Sequence, residues 1–126
     1  MIAGLGIDSI DVERVAARIS REGGFRELIF SRGEIDYCEK KADKFMHYAA
    51  RFAAKEAFFK ALGTGWAEGT AFHEVEITHD ERGKPELSLL GGTKASVAAL
   101  GEFNLWVSLS HLKTIATAVV IIEKQS

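Results

Sequence analysis

The chain has 126 residues, 47% hydrophobic and 27% charged, with a formal net charge of −2. That length fits one domain, expected over residues 1–126, and the composition excludes a disordered chain. The missing basic excess argues against a general nucleic-acid binder, and no apolar run is long enough to span a bilayer, so neither nucleic acid nor membrane is an expected partner.

The N-terminal run Met1-Ile-Ala-Gly-Leu-Gly-Ile-Asp8 has no basic stretch before it and is closed early by Asp8, unlike a signal peptide. Ile2 to Ser9 is short, apolar and glycine-rich, which predicts a buried strand. Asp11 is placed to cap a helix from about Val12 to Glu22, ended by Gly23-Gly24. Phe25 to Phe30 is an apolar segment of open type. Ser31-Arg-Gly-Glu34 has capping-box spacing, so a helix should follow through Lys40. Cys38, the one cysteine, is expected on it as a half-buried thiol in a cytoplasmic protein, since it has no disulfide partner.

Asp43 should start the longest helix, to about Leu62, with Gly63-Thr64-Gly65 as its stop. After it the period changes to that of strands. Phe72 to Thr78 and Glu86 to Leu90 predict one hairpin around a turn from His79 to Pro85. Gly91-Gly92 breaks the chain before a short helix, Thr93 to Leu100. Asn104 to Ser110 and Thr114 to Ile122 predict a second hairpin, rich in Val, Ile and Thr. The expected fold class is α+β: a single compact domain with an antiparallel sheet and one long central helix.

On that helix, Phe45, Tyr48, Phe52 and Phe59 fall in one stripe, which predicts core. Arg51 and Lys55 lie one turn apart on one flank, Glu56 and Lys60 on the other; the plain expectation is two solvated, ion-pairing edges. The glycine-rich turn after Lys60 and the carboxylate of Asp8 at a strand end point instead to a site. Gly4-Leu-Gly6 is no dinucleotide fingerprint, because the third glycine falls at Ser9 and βαβ alternation is missing; these glycines predict tight packing of the strand. His47, His73, His79 and His111 lack the spacing of a helical zinc pair. Ser110 and His111 point to opposite faces of a strand, so a nucleophile–base pair is not expected there. Arg14, Arg18 and Arg21 recur on one stripe of the first helix, either as a solvated face or as a dock for an acidic partner.

Four blocks in this order resemble the holo-acyl-carrier-protein synthases of the 4′-phosphopantetheinyl transferase superfamily. They are Gly4-Leu-Gly-Ile-Asp8-Ser-Ile-Asp-Val-Glu-Arg14-Val, Arg51-Phe-Ala-Ala-Lys55-Glu56-Ala-Phe-Phe-Lys60-Ala-Leu-Gly-Thr-Gly65, Asp80-Glu-Arg-Gly83-Lys-Pro85 and Ser108-Leu-Ser110-His111. The resemblance implies transfer of 4′-phosphopantetheine from coenzyme A to a serine of an apo-acyl carrier protein. It also implies Mg²⁺ and a homotrimer with active sites shared between subunits. Asp8 and Glu56 would then hold the metal, and Lys60 would neutralise phosphate charge. Arg51, Lys84 and His111 are candidates for the other phosphates, and Gly63, Thr64, Gly83, Pro85 and Ser110 for the rest of the coenzyme A site. Glu56, a metal-bound water and Asp36 are open as the base. The arginine stripe would meet the acidic carrier, with Phe25 as apolar anchor. A coenzyme A sensor would not need both carboxylates, and a pure interaction protein would not need the Lys-Glu-x-x-x-Lys helix.

Overall fold

The structure, a computed structural model, describes residues 1–21, 23–63 and 69–125. The N-terminal run is β1 (Ile2–Asp11), longer than its apolar stretch because it pairs antiparallel with β5 (Ile115–Lys124) from Ile2↔Glu123 to Asp11↔Ile115. On its other side β5 pairs with β4 (Phe103–His111), giving a three-stranded sheet in the order β1-β5-β4. One face of this sheet carries Ala116, Ala118, Val120 and Ile122, all buried, and the long helix α4 (Lys44–Leu62) packs against it.

The aromatic stripe of α4 is core, with Tyr48, Phe52 and Phe59 buried among a run of alanines. The small residues permit an unusually close seat. A Cβ at Gly6 would lie 2.0 Å from the carbonyl oxygen of Ala57, and one at Gly4 2.0 Å from that of Ala61. Only glycine lets the strand touch the helix backbone there. Asp8, the next residue on the same side of the strand, is thereby brought to the flank of α4.

Asp11 caps α1 (Val12–Ser20), its carboxylate accepting the Glu13 N–H at 3.0 Å. Val12 and Val15 turn inward and Arg14 and Arg18 outward, as the pattern predicts. The open segment is a short helix, α2 (Phe25–Ile29), entered through Gly24 at φ +76°. The capping box forms on α3 (Arg32–Glu39): Ser31 Oγ accepts the Glu34 N–H and Glu34 accepts the Ser31 N–H. Gly63, left-handed at φ +84°, ends α4 and donates to the carbonyls of Phe59 and Lys60. Asp43 is the N-cap residue of α4, as expected, but its carboxylate makes no capping bond and lies 3.1 Å from His47.

Several expectations are corrected. Phe72–Glu74 is a 3₁₀ turn rather than strand, and only β2 (Val75–His79) pairs with β3 (Pro85–Leu89), in a separate two-stranded sheet. The Glu74 carboxylate is turned away to accept the N–H groups of Gly92 and Thr93, each at 3.0 Å. It caps α5 (Gly91–Ala98) from outside, so the glycine pair is the first turn of that helix and not a break before it.

The largest correction concerns Arg51 and Lys55, which are 1% and 0% exposed rather than solvated. Lys55 Nζ donates to Glu34 Oε1 at 2.7 Å, to the Phe72 carbonyl at 3.0 Å and to the Val75 carbonyl. Glu34 Oε2 accepts the Ile77 N–H at 2.9 Å. A buried ion pair is tolerable when its hydrogen-bonding capacity is met in this way. The pair ties α3, α4 and β2 together. Cys38 is fully buried, not half-buried, and burial pushes its thiol up to about 12, away from reactivity. Among the described residues no helix is long and apolar enough to cross a membrane.

Candidate active site

Asp8 and Glu56 line one cavity of about 280 Å³ where β1, α1 and α4 meet, with Asp11, Arg14, Arg18 and Phe52 around them. Lys60, one turn beyond Glu56, donates to Asp8 Oδ1 at 2.8 Å and to the Ile7 carbonyl at 3.1 Å. Its ammonium is held above the ordinary lysine range by the hydrogen bond to Asp8. The Glu56 carboxyl is pushed up, first by burial and then by the negative charge of Asp8, against the opposing pull of Lys60. These groups therefore sense one another across the cavity.

Among the described residues no group of three or more His, Cys, Asp or Glu side chains forms a metal cage. The pair that is present suits a different mode. Mg²⁺ commonly takes one or two carboxylates and completes its shell with substrate phosphates and water, so an Asp8–Glu56 pair beside an ammonium fits it and does not fit a closed zinc site. Asp36 is not part of this arrangement. It is exposed on α3, pairs with Arg32 at 3.4 Å, and is absent from the cavity lining.

Arg14 and Arg18 share the carboxylate cavity, and Arg18 and Arg21 rim a neighbouring one of about 360 Å³ with Phe25 and Leu28. The three arginines thus form one continuous face. Phe25 is only half available. Its ring meets Phe52 edge-on at 5.8 Å, and the Arg18 guanidinium lies over it at 5.6 Å. Leu28, 67% exposed, is the more accessible apolar side chain here. Sequence reasoning missed it because a lone leucine in a short apolar segment carries no signal until the segment becomes a helix.

Arg51 serves another region. It lies five residues before Glu56, about 140° away around the helix. Its guanidinium sits 4.3 Å over the Tyr37 ring, with Nη2 3.3 Å from His79 Nδ1. Tyr37 stacks on His79 at 5.2 Å, and the His47 and His111 rings are 5.7 Å apart. His47, His79 and Tyr37 were missed as site candidates, because residues 37, 47, 79 and 111 meet only through the fold. Gly83, Lys84 and Pro85 lie in and beside the β2–β3 turn, where Asp80 accepts the N–H groups of Arg82 and Lys84 and the Lys84 ammonium lies 5.4 Å from the Trp106 ring. Ser110, opposite Thr117, is on the exposed side of the sheet, away from His111. Gly63 follows α4 directly, whereas Thr64 lies outside the described residues. Asp8, Glu56 and Lys60 thus gather on one side of α4 and Arg51 lies on another, while Lys84 and Pro85 lie by Trp106 and Ser110 lies on the exposed sheet face.

Paired carboxylates beside an ammonium on a small α+β scaffold define a class of protein equipped to handle phosphate esters. The chain belongs to the 4′-phosphopantetheinyl transferase superfamily, whose family model matches residues 4–120. It is 45% identical over 126 residues to a holo-[acyl-carrier-protein] synthase of Geobacter sulfurreducens, with 98% of this chain and 99% of that protein covered. The crystal structure of holo-[acyl-carrier-protein] synthase from Neisseria meningitidis superposes with a TM-score of 0.90 at 31% identity, covering 98% of this chain and 100% of that one. The holo-(acyl-carrier-protein) synthase from Bacillus anthracis in complex with CoA (3′,5′-ADP) is 33% identical, with a TM-score of 0.83 and 99% of each chain covered.

Proposed function

We propose that Asp8, Glu56 and Lys60 carry out the reaction of this family, in which the 4′-phosphopantetheine group of coenzyme A passes to a serine of an apo-acyl carrier protein and adenosine 3′,5′-bisphosphate leaves. Asp8 and Glu56 on one cavity, with Lys60 donating to Asp8 beside it, carry the assignment. Asp8 and Glu56 would hold Mg²⁺, which would supply charge neutralisation at the pyrophosphate. Lys60 leaves Asp8 for a phosphate oxygen and counters charge on the leaving group. Glu56 acting directly, or a water held by the metal, would take the serine proton.

Arg51, Lys84 and His111 bind the remaining phosphate of coenzyme A, with Gly63, Thr64, Gly83, Pro85 and Ser110 along the nucleotide. Because Arg51 and Glu56 face different sides of one helix, one coenzyme A is best served by two chains. We infer a homotrimer with shared sites. The exposed sheet face supports it: Leu5 and Ile7 are 64% and 58% exposed and Trp106 is 47% exposed, an apolar patch that a second copy would cover. Arg14, Arg18 and Arg21 dock the acidic carrier. The cytoplasm is the proposed location, since a lone buried thiol needs no oxidising compartment.

The test is the intact mass of an apo-acyl carrier protein incubated with the protein, coenzyme A and Mg²⁺, with and without chelator. A gain of one phosphopantetheine is expected, lost with chelator and lost in Asp8→Ala and Glu56→Ala variants of unchanged circular dichroism. Full Mg²⁺-dependent gain in either variant would overturn the metal assignment, and no gain by the parent protein would overturn the reaction.

A further inference from the structure

Asp8 already carries a cation. Lys60 Nζ donates to its Oδ1 at 2.8 Å and to the carbonyl of the preceding residue, Ile7, at 3.1 Å. Both acceptors lie on β1, an edge strand of its sheet, so the ammonium is clamped at two consecutive residues. The partners differ in freedom. The Asp8 side chain is 18% exposed, on a strand pressed against α4, whereas that of Lys60 is 56% exposed. The carboxylate is thus held in place, while the flexible lysine stem has solvent to swing into.

Charge points the same way. The cavity of Asp8 and Glu56 is also lined by Asp11, Arg14 and Arg18. Three carboxylates therefore face two guanidiniums and the Lys60 ammonium, and the formal charges balance. A divalent cation entering by itself would leave that balance positive, and it would meet an ammonium on the carboxylate it needs. A pyrophosphate brings negative charge for the metal and acceptor oxygens for Lys60 together.

We infer that Lys60 is a gate on the metal site: it occupies Asp8, keeps a divalent cation weakly bound there, and yields the carboxylate only when a pyrophosphate accepts its ammonium. Metal and pyrophosphate then enter as a pair, and no covalent bond changes. The inference rests on the reading that Asp8 and Glu56 hold Mg²⁺ against coenzyme A, and it adds that metal binding is conditional on the nucleotide rather than prior to it. Linkage makes the effect reciprocal: whatever factor coenzyme A adds to metal affinity, the metal adds to coenzyme A affinity. Lys60 supplies part of that factor, because its relocation removes a competitor from Asp8 in the same event that gives the phosphate a cation.

The experiment is titration of the protein with Mn²⁺, followed by electron paramagnetic resonance, first alone and then with saturating coenzyme A and no carrier present. Lys60→Gln should bind Mn²⁺ alone about tenfold more tightly than the parent protein, with a correspondingly smaller further gain when coenzyme A is added. Lys60→Arg keeps the charge and should stay within about threefold of the parent. Arg18→Gln removes a cation that lies over Phe25 rather than on Asp8, and it should also shift the affinity by less than about threefold. No tightening in Lys60→Gln, or equal tightening in Arg18→Gln, overturns the gate while leaving the metal reading standing. An Mn²⁺ affinity unchanged in Asp8→Asn overturns that reading itself.

Discussion

Lys55 shows what a buried charge needs in order to stay in place. Its ammonium spends its donors on Glu34 and on the Phe72 and Val75 carbonyls, and Glu34 in turn satisfies the N–H groups of Ser31 and Ile77. Removing one partner strands the other. Lys55→Met should lower stability by about 3 kcal/mol, with Glu34→Gln in the same background recovering part of it. Urea denaturation reads both, and a neutral Lys55→Met would mean that the pair is not the tie between α3, α4 and β2. The motif holding Lys55 was legible as a site-bearing helix, but its burial was not. Spacing gives an angle around a helix, and what covers that angle comes here from residues 31–34 and 72–77, remote in sequence. The same limit hid His47 and His79 while leaving Asp8, Glu56 and Lys60 visible, since those lie in contiguous blocks.

Elements with their own chemical punctuation were readable. Asp11 and the Ser31–Glu34 capping box start helices, and Gly63 stops one, as local bonding requires. The failures fell where a distant group decided the outcome. Phe72–Glu74 alternates like a strand, but the Glu74 carboxylate is committed to the start of α5. The seat of β1 on α4 is the feature on which the site depends most. Gly6→Ala places a methyl 2.0 Å from the Ala57 oxygen, so β1 must lift from the helix and carry Asp8 with it. We expect a loss of about 2 kcal/mol in stability and weaker Mn²⁺ binding, read by electron paramagnetic resonance at the proposed Mg²⁺ site. An unchanged Mn²⁺ affinity would show that Asp8 is not positioned by this contact.

Charge is divided unevenly over the chain. The net value of −2 conceals the arginine face of α1, whose charges lie beside the carboxylate cavity. Arg14→Glu with Arg21→Glu should raise KM for the carrier at least about tenfold and make turnover less sensitive to salt, with coenzyme A binding preserved. If coenzyme A affinity falls instead, the face is misassigned. The α+β class and the order of elements were legible from periodicity. The division of the strands into two sheets was not, because it depends on pairing over long separations. That pairing also governs biosynthetic timing. β1 ends at Asp11, yet its ladder partner β5 begins only at Ile115. Until then the strand bearing Asp8 has α4 on its face but no ladder partner, and its unpaired edge is a substrate for chaperones or for misassociation. Placement of Asp8 by the sheet thus waits until β5 has been made.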